Sequence, residues 1–311
     1  MTPLPVFVVS IVMAVLVMVL VDARPAITQP NAKNAVTTTV DFDVIKFAES
    51  STKDNGLSWE HLTGNYKSTG RPYSAYFATF HPSYFSFYPS SLGGCVSLVK
   101  TSQSSHESWS DCAFATNGGF FDTNPAHLVA DNGTLCVGNL ISSDQSGKQV
   151  YNQYTDAGTG RANFGISLVT QEMIIGFIDD ATPSTIQFSQ LMSGWGWVVR
   201  DGASNVDNSQ DLPSGSGFVS EKAPRTAIGA MPDGRMFLLE IDGEEDILAG
   251  PDLHEQAELL VSLGVSSAVN IDGGGSSVAV ANGAVVDVPT CKDTPEVCER
   301  AVASFTCVQK A

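Results

Sequence analysis

Asn270–Ser277 reads NIDGGGSS and is the most informative stretch of the chain. The overlapping segment Ser266–Ile271 (SSAVNI) is short, partly β-branched and preceded by a helix-like segment, which predicts a buried strand. Three consecutive glycines let the backbone turn tightly and direct its N–H groups towards one point. The stretch therefore predicts a seat for an anionic or hydroxylated ligand beside Asp272. A glycine-rich turn that this aspartate caps is the alternative.

Three further motifs place a polar group beside an apolar, strand-like run. They are Asn117–Phe121 (NGGFF), Pro224–Gly229 (PRTAIG) and Glu240–Gly243 (EIDG). In this order, and together with the glycine stretch, they resemble the phosphodiester glycosidase family. The resemblance extends from about Gly94 to Cys307 and includes four shorter motifs, Cys136–Asn139, Asn163–Ile166, Leu191–Gly194 and Val198–Gly202. Short glycine-rich patterns match by chance, so the ordered set, and no single motif, carries the resemblance.

The resemblance implies hydrolysis of an α-N-acetylglucosamine-1-phosphodiester. This reaction would release N-acetylglucosamine and expose a phosphomonoester such as mannose 6-phosphate on glycoproteins. Two alternatives stay open: a hydrolase of microbial-type surface polysaccharide phosphodiesters, and a catalytically inactive glycan-binding protein. Loss of Asp242, Arg225 or Asp272 would favour the inactive protein, but all three residues are present. We expect a glycosidase-type hydrolase that uses neither a cofactor nor a metal ion.

Asp242 and Asp272 are the candidate catalytic carboxylates. Glycosidases usually divide acid, base and nucleophile work between two carboxylates. Both aspartates follow an apolar run and precede a glycine, so both are expected at exposed strand ends. A phosphate monoester is an acidic leaving group and needs less protonation than a sugar alkoxide. Either aspartate could instead serve only to accept hydrogen bonds from the amides of its own turn.

Arg225 is the candidate phosphate ligand, because its planar guanidinium can contact two phosphate oxygens. A surface ion pair is the alternative. The other substrate-binding candidates are the polar and glycine residues of the motifs: Asn117, Gly118, Gly119, Gly273, Gly274, Gly275, Ser276 and Ser277. The first three are expected to face sugar hydroxyls or an acetamido group, or else to form only a tight turn. Glu255 also lies in a family motif, as a catalytic residue or as a solvent-facing helix residue.

The six cysteines follow the apolar leader and are even in number, which predicts three disulfides in a secreted protein. Six cysteines allow fifteen pairings, and their spacing does not choose among them. The family resemblance implies the pairs Cys95–Cys136, Cys112–Cys307 and Cys291–Cys298. No two cysteines lie two to four residues apart, so a structural zinc site is not favoured.

Residues 1–23 are predicted to be a signal peptide. Val6–Val21 is an uncharged apolar run of about sixteen residues, shorter than the roughly 20 that a membrane-spanning helix needs. Cleavage after Ala23 is expected, and an uncleaved anchor is the alternative. Residues 24–93 would then form an N-terminal lead-in with strands, and residues 94–311 the phosphodiester glycosidase domain. Asn132 begins a glycosylation sequon.

The formal net charge of −17 opposes binding to nucleic acid and to anionic membrane surfaces. The expected partner is a glycan phosphodiester on glycoproteins, with no stable membrane anchor after signal cleavage and with homo-oligomers left open. The expected location is the lumen of the secretory pathway, either Golgi or endosomal, or the cell exterior.

Many strand-like runs and few helical ones predict an α+β fold. We expect a strongly curved mixed sheet packed around one or two helices in a single domain. Asp252–Leu263 has the clearest helical spacing of apolar residues. Tyr73–Tyr88 is dense in aromatic residues and is assigned to the core, with a sugar-binding platform as the alternative. Ser50–Thr69 and Leu140–Ala162 are polar and are assigned to loops, whereas Val96–Lys100 is assigned to a strand.

Overall fold

The computed structural model of the chain describes residues 40–49, 54–107, 110–123, 135–144, 146–292 and 296–311. They belong to one compact unit that runs from residue 38 to residue 311. The predicted signal peptide and the sequon at Asn132 lie outside the described residues. Within them, no helix has the length and apolar character needed to cross a bilayer.

Strands account for most of the regular structure, and α5 is the only described helix longer than one turn. The strands are β1 (Asp41–Lys46), β2 (Ser58–Asn65), β3 (Pro72–Phe80), β4 (Phe85–Pro89), β5 (Cys112–Asn117), β6 (Leu140–Ser143), β7 (Gln149–Gln153), β8 (Ala162–Ser167), β9 (Glu172–Phe177), β10 (Phe188–Ser193), β11 (Trp197–Arg200), β12 (Ala203–Ser204), β13 (Arg225–Ala230), β14 (Met236–Ile241), β15 (Ser267–Asn270), β16 (Ala279–Ala281), β17 (Ala284–Val285) and β18 (Ser304–Gln309). The helices are α1 (Thr101–Ser104), α2 (Asp156–Thr159), α3 (Thr182–Thr185), α4 (Gly217–Ser220) and α5 (Leu253–Ser262).

The described strands form three sheets. Their spatial orders are β1-β9-β8-β10-β6-β7, β12-β11-β15-β13-β14-β3-β2 and β17-β16-β5-β18-β4. One apolar core lies where the three sheets meet and contains Phe87, Phe114, Phe164, Trp197 and Leu238. A second core lies between the seven-stranded sheet and α5. Three candidate motifs, Pro224–Gly229, Glu240–Gly243 and Asn270–Ser277, lie at one end of this seven-stranded sheet.

The expected fold class is confirmed, because the chain forms a curled, mostly β structure with few helices and a single domain. Two details differ from the expectation. The strands divide into three sheets, and the pairs between the described strands are antiparallel throughout, not mixed. Antiparallel pairing follows where short turns join successive strands, as between β13 and β14. The division of the chain at residue 94 stays a prediction, although β3 pairs with β14 and β4 pairs with β18.

Helix α5 is the element that sequence periodicity predicts best. Asp252 and Glu255 form a capping box at its start. At its end Gly264 has φ +79°, and the N–H of Val265 donates to the carbonyl of Leu260 at 3.1 Å. This pattern is the Schellman motif, which glycine favours because a Cβ is strained at positive φ. Predicted and observed bounds differ by one residue at each end.

Three sequence-based assignments are wrong. Ser50–Thr69 contains β2, an edge strand whose mostly exposed side chains hide the apolar alternation that marks a strand. Leu140–Ala162 contains β6 and β7, and β6 is fully buried although two of its four residues are serines. Val96–Lys100 forms only an isolated bridge at Val99. The aromatic segment Tyr73–Tyr88 is core, as predicted, because Phe77, Phe80, Phe85, Phe87 and Tyr88 are buried.

The structure contains the disulfides Cys95–Cys136, Cys112–Cys307 and Cys291–Cys298. This is the pairing that the family resemblance implies. Cys112 and Cys307 lie on β5 and β18, adjacent strands of the five-stranded sheet, so the crosslink reinforces a contact between residues 195 positions apart.

Candidate active site

Three of the motifs meet at one edge of the seven-stranded sheet. Arg225 begins β13 and lies opposite Ile241, the last residue of β14. On the other side of β13, the N–H of Ile271 donates to the carbonyl of Thr226 at 2.9 Å. Because β13 runs antiparallel to both neighbours, its start lies between the ends of β14 and β15. Asp242 directly follows the end of β14, and Asp272 lies two residues after the end of β15.

The glycines after the two aspartates allow a close backbone approach to Pro224. A Cβ on Gly243 would lie 2.8 Å from Pro224 N, and a Cβ on Gly273 would lie 2.7 Å from Pro224 O. Gly274 has φ +57°, and its N–H donates to the same carbonyl at 2.9 Å. The two Asp-Gly turns therefore flank Pro224, and any side chain at Gly243 or Gly273 would push them apart.

Arg225 is a buried cation, which contradicts the alternative interpretation of a surface ion pair. Its side chain is 2 % exposed, and its nearest carboxylate is Glu221 at 3.7 Å. Nη2 donates to the carbonyls of Phe218 at 3.2 Å and Glu221 at 2.9 Å. The guanidinium carbon also lies 4.6 Å from the centroid of the Phe218 ring, which holds the fork in one orientation. Nε has no hydrogen-bond partner among the described residues.

Burial lowers the pKa of Arg225, and surrounding carboxylates that include Asp272 oppose this shift. Such an arginine stays charged in proteins, so the site keeps a desolvated positive charge. A desolvated guanidinium beside a strand-end carboxylate can attract a phosphate while the carboxylate acts on the neighbouring sugar carbon.

Asp242 lies on the face of the sheet opposite to that of Arg225. Directly opposed residues share a face, so Arg225 groups with Ile241, and Glu240 groups with Thr226 and Tyr76. The N–H of Asp242 donates to the carbonyl of Ser74 at 2.9 Å, which continues the pairing and places Asp242 on the Glu240 face. Its carboxylate accepts from Ser74 Oγ at 2.5 Å and from the N–H of Val288 at 3.0 Å.

Asp242 belongs to a group of three carboxylates. One ligand oxygen each from Glu240, Asp242 and Asp287 lies within 4.8 Å of the other two. Burial raises the pKa of Glu240 well above its usual range, and Asp287 and Asp242 add to that rise. Burial also raises the pKa of Asp287 to about 8, with backbone N–H groups working against the rise. Burial and the same three carboxylates raise the pKa of Tyr76 to about 12. We call Glu240, Asp242 and Asp287 the acidic triad.

Asn117, from the motif Asn117–Phe121, positions the turn that contains Asp272. Its Nδ2 donates to the carbonyl of Asp272 at 2.7 Å, and its Oδ1 accepts from Thr226 Oγ1 at 2.8 Å. Thr226 Oγ1 also lies 3.3 Å from Ser277 Oγ. The side chain of Asn117 is fully buried. These bonds connect three motifs and occupy both ends of the Asn117 amide.

The two glycines after Asn117 are required for backbone packing. A Cβ on Gly118 would lie 2.7 Å from the backbone carbon of Ser304, and a Cβ on Gly119 would lie 3.2 Å from Met192 Cγ and Ser193 O. The N–H groups of both glycines donate to Ser304, to its carbonyl and to its hydroxyl. The tight-turn interpretation thus explains these glycines, and a sugar contact remains a proposal for them.

The end of the glycine stretch is buried as well. Gly274–Ser276 forms a short 3₁₀ helix, and Ser276 and Ser277 are each 2 % exposed. Ser276 Oγ accepts from Arg300 Nη1 at 3.4 Å, and Arg300 Nε donates to the carbonyl of Cys291 at 2.8 Å. Arg300 therefore joins the turn to the Cys291–Cys298 disulfide loop.

Glu255 is buried, so the solvent-facing interpretation is wrong. Its carboxylate accepts from Thr69 Oγ1 at 2.6 Å and pairs with Arg71 at 2.5 Å and Lys222 at 2.8 Å. Oε2 also completes the capping box by accepting from the N–H of Asp252 at 3.1 Å. Arg71 Nη2 also donates to the carbonyl of Gly250 at 2.7 Å. Glu255 thus fixes the start of α5 and the loop after Asp242, and both of its oxygens are engaged.

Five residues around these motifs are not predicted from the sequence. Glu240 and Asp287 complete the acidic triad, and Arg161, Trp195 and Phe218 form a stack that ends at Arg225. Glu240 and Asp242 alternate across Ile241, which is a readable signal for two carboxylates on one strand face. No local sequence pattern predicts that the other four residues lie beside these motifs, because each belongs to a different segment of the chain.

Comparisons with known proteins identify the family. A family model for phosphodiester glycosidases matches residues 110–309. The human N-acetylglucosamine-1-phosphodiester alpha-N-acetylglucosaminidase is 31% identical over 234 residues, which cover 71% of this chain and 42% of the relative. The bovine enzyme of the same name is also 31% identical over 234 residues, with 41% of its length covered. This chain therefore spans about two fifths of the length of the curated relatives it matches.

A solved structure agrees with these sequence matches. The zebrafish N-acetylglucosamine-1-phosphodiester alpha-N-acetylglucosaminidase catalytic domain, auto-inhibited by its pro-peptide, superposes with a TM-score of 0.72 and 27% identity. The match covers 90% of this chain and 92% of the other. With the family model over 110–309 and the human relative at 31% identity, this chain belongs to the phosphodiester glycosidase family.

Proposed function

We propose that this chain hydrolyses an α-N-acetylglucosamine-1-phosphodiester, releasing N-acetylglucosamine and a phosphomonoester. The observation that carries this proposal is the packing of two Asp-Gly turns on either side of Pro224 and Arg225. Two carboxylates and a buried guanidinium are the groups that a glycosidase with a phosphate leaving group requires. The names of the curated relatives describe the same reaction class.

In this proposal Arg225 holds the phosphate. Its Nη2 is committed to two backbone carbonyls, and Nε has no partner in the described part of the chain. The guanidinium neutralises the charge of the departing phosphate, which is already a weak base, so strong protonation of the leaving group is not needed. Desolvation strengthens this interaction, because the dielectric screening of water is reduced around a buried cation.

Asp242 and Asp272 act on the sugar. Asp272 lies near Arg225 and therefore near the proposed phosphate position, whereas Asp242 lies on the face of the acidic triad. We propose that they supply the nucleophile or base and stabilise positive charge at the anomeric carbon. Asn117 positions Asp272 through its carbonyl, and Gly273–Ser277 forms the turn that places Asp272 and lines the phosphate position.

The natural substrate is proposed to be a phosphodiester-capped mannose on glycoproteins, met in the secretory pathway or outside the cell. The three disulfides support an oxidising compartment. The acidic composition fits a glycan partner and opposes nucleic acid. A polysaccharide phosphodiester is the competing substrate of the same reaction.

The test uses the purified full chain and three substrates. They are an α-N-acetylglucosaminyl phosphomannoside, UDP-N-acetylglucosamine and a polysaccharide with the same sugar phosphodiester linkage. Mass spectrometry identifies the released sugar and the phosphate ester. We expect N-acetylglucosamine and mannose 6-phosphate from the first, and Asp272→Asn to abolish their release while Asp233→Asn, a change at an exposed turn, does not.

Cleavage of the polysaccharide alone would change the proposed natural substrate but would support the proposed reaction. Binding of these glycans by the natively folded chain without any turnover would instead support the inactive glycan-binding protein and overturn the proposal.

A further inference from the structure

The acidic triad brings together three carboxyl groups, two of which are buried. Glu240 is 1% exposed and Asp287 is 9% exposed. Among the described residues, Glu240 Oε2 has no hydrogen-bond partner, and neither carboxylate oxygen of Asp287 has a side-chain partner. Buried carboxylate oxygens normally have partners, because burial removes their water and costs free energy otherwise.

Between the residues that the structure describes, no ion pair joins a cationic side chain to this group. The described ion pairs of Arg71, Lys222 and Arg225 go to other carboxylates, and none includes a member of the triad. Tyr76 lies opposite Glu240 on the same face, and Ser74 donates its hydroxyl to Asp242. Tyr76 and Ser74 thus bring two hydroxyl groups to the triad, and hydroxyl oxygens can also act as metal ligands.

We propose that Glu240, Asp242 and Asp287 bind a divalent cation, with calcium as the favoured ion. Oxygen-only ligands select hard cations such as calcium and magnesium over zinc or copper. Oxygens that touch one calcium ion at about 2.4 Å lie at most about 4.8 Å apart, which is the limit within which the three ligand oxygens lie. A shared proton would satisfy one pair of oxygens and leave the others unpaired, whereas one cation contacts an oxygen of all three residues.

The proposed cation site is accessible from one side and lies between β14 and the segment after β17. Asp242 is half-buried while the other two ligands are buried, so the cation would enter from the Asp242 side. Asp287 lies in the segment after β17, which contacts the end of β14 where the Val288 N–H donates to Asp242 and Thr290 Oγ1 donates to the Gly243 carbonyl. A bound cation would join this segment to β14 beside the Asp242 turn.

Isothermal titration calorimetry on the EDTA-treated full chain tests binding of calcium, magnesium and manganese chloride. We expect calcium to bind one site with a dissociation constant of about 10⁻⁶–10⁻³ M. At ten times that constant, the melting temperature should rise by about 3–6 °C, and EDTA should reverse the rise.

Glu240→Gln and Asp287→Asn should each remove the calcium-dependent rise. In the absence of calcium they should melt at or above the temperature of the native chain, because each replaces a buried ionisable carboxyl group by a neutral amide of the same size. Asp233→Asn is the matched control, since Asp233 is an exposed carboxylate at the other end of the β13–β14 hairpin, and it should keep the rise. Circular dichroism checks that the variants fold.

The absence of any cation binding to the native chain below about 1 mM would overturn the proposal, since that is the weakest range of protein calcium sites. A calcium response that persists in a folded Asp287→Asn variant would also overturn it, because the ion would then bind elsewhere.

Discussion

Trp195 stacks on Phe218 with 4.5 Å between the ring centroids and 16° between the ring planes. A guanidinium carbon lies against each of the two rings. Arg161 lies 4.8 Å from the Trp195 ring, and Arg225 lies 4.6 Å from the Phe218 ring. Arg161 Nη1 and Arg225 Nε lack hydrogen-bond partners in the described part of the chain. The aromatic pair therefore orients two arginines whose donors are not all satisfied by protein.

Replacing Phe218 by Leu tests whether this stack positions Arg225. Leucine keeps most of the apolar volume and removes the aromatic face, whose attraction for a guanidinium is worth about 0.5–2 kcal/mol. We expect kcat/KM on the phosphodiester to fall by about 2- to 30-fold, with a smaller effect on an aryl α-N-acetylglucosaminide that lacks phosphate. An equal loss on both substrates would indicate a general packing defect and contradict a role for the stack in phosphate binding.

Arg225→Lys should not behave as a conservative change. Lysine keeps the charge but cannot hold the Phe218 and Glu221 carbonyls and a phosphate oxygen with one planar group. Turnover of the phosphodiester should fall more than turnover of the phosphate-free aryl glycoside. Steady-state kinetics on both substrates provide the measurement, and equal losses would remove the phosphate-binding role from Arg225.

Asp242→Asn and Asp272→Asn should each lower turnover by several orders of magnitude without unfolding the chain. Asparagine keeps the size and the turn geometry but cannot act as a nucleophile or base. Single-turnover kinetics measure the chemical step, and circular dichroism checks the fold. If both variants are folded and retain near native turnover, the two aspartates are not the catalytic pair.

Glu255→Gln should lower stability more than it lowers catalysis. The change removes the charge that pairs with Arg71 and Lys222 in a buried position, a loss of roughly 3 kcal/mol. Urea unfolding and kcat on the same preparation separate the two effects. A large fall in kcat with unchanged stability would instead restore the catalytic hypothesis for Glu255.

Cys112–Cys307 should contribute more stability than Cys291–Cys298. The loops that they close have sequence separations of 195 and 7 residues. The chain-entropy model then assigns about 5 kcal/mol to the first and about 2 kcal/mol to the second. Replacing both members of each pair by serine and comparing melting temperatures tests this order. A lower melting temperature for the Cys291 and Cys298 double variant would show that native-state contacts outweigh chain entropy.

The sequence predicts those features that are local or repeat with a short period. Helix α5 was found from its apolar spacing, its capping residues and Gly264, all of which lie within about fourteen residues. Edge strand β2 and buried strand β6 were missed because their side chains do not alternate between apolar and polar. In such strands, the neighbouring strands and the depth in the core decide the structure, and a single segment carries no record of either.

For the candidate site, the sequence alone shows which chemical groups are present and predicts that Asp242 and Asp272 each follow a strand and precede a glycine. Only the tertiary structure decided which groups meet. The register of β13 against β14 places Arg225 and Asp242 on opposite faces, and the segment after β17 brings Asp287 to Glu240 across 47 residues of chain. The physical reason is that strand register and sheet order are set by the summed burial of many side chains, so contacts between distant residues follow from the whole core and not from any one motif.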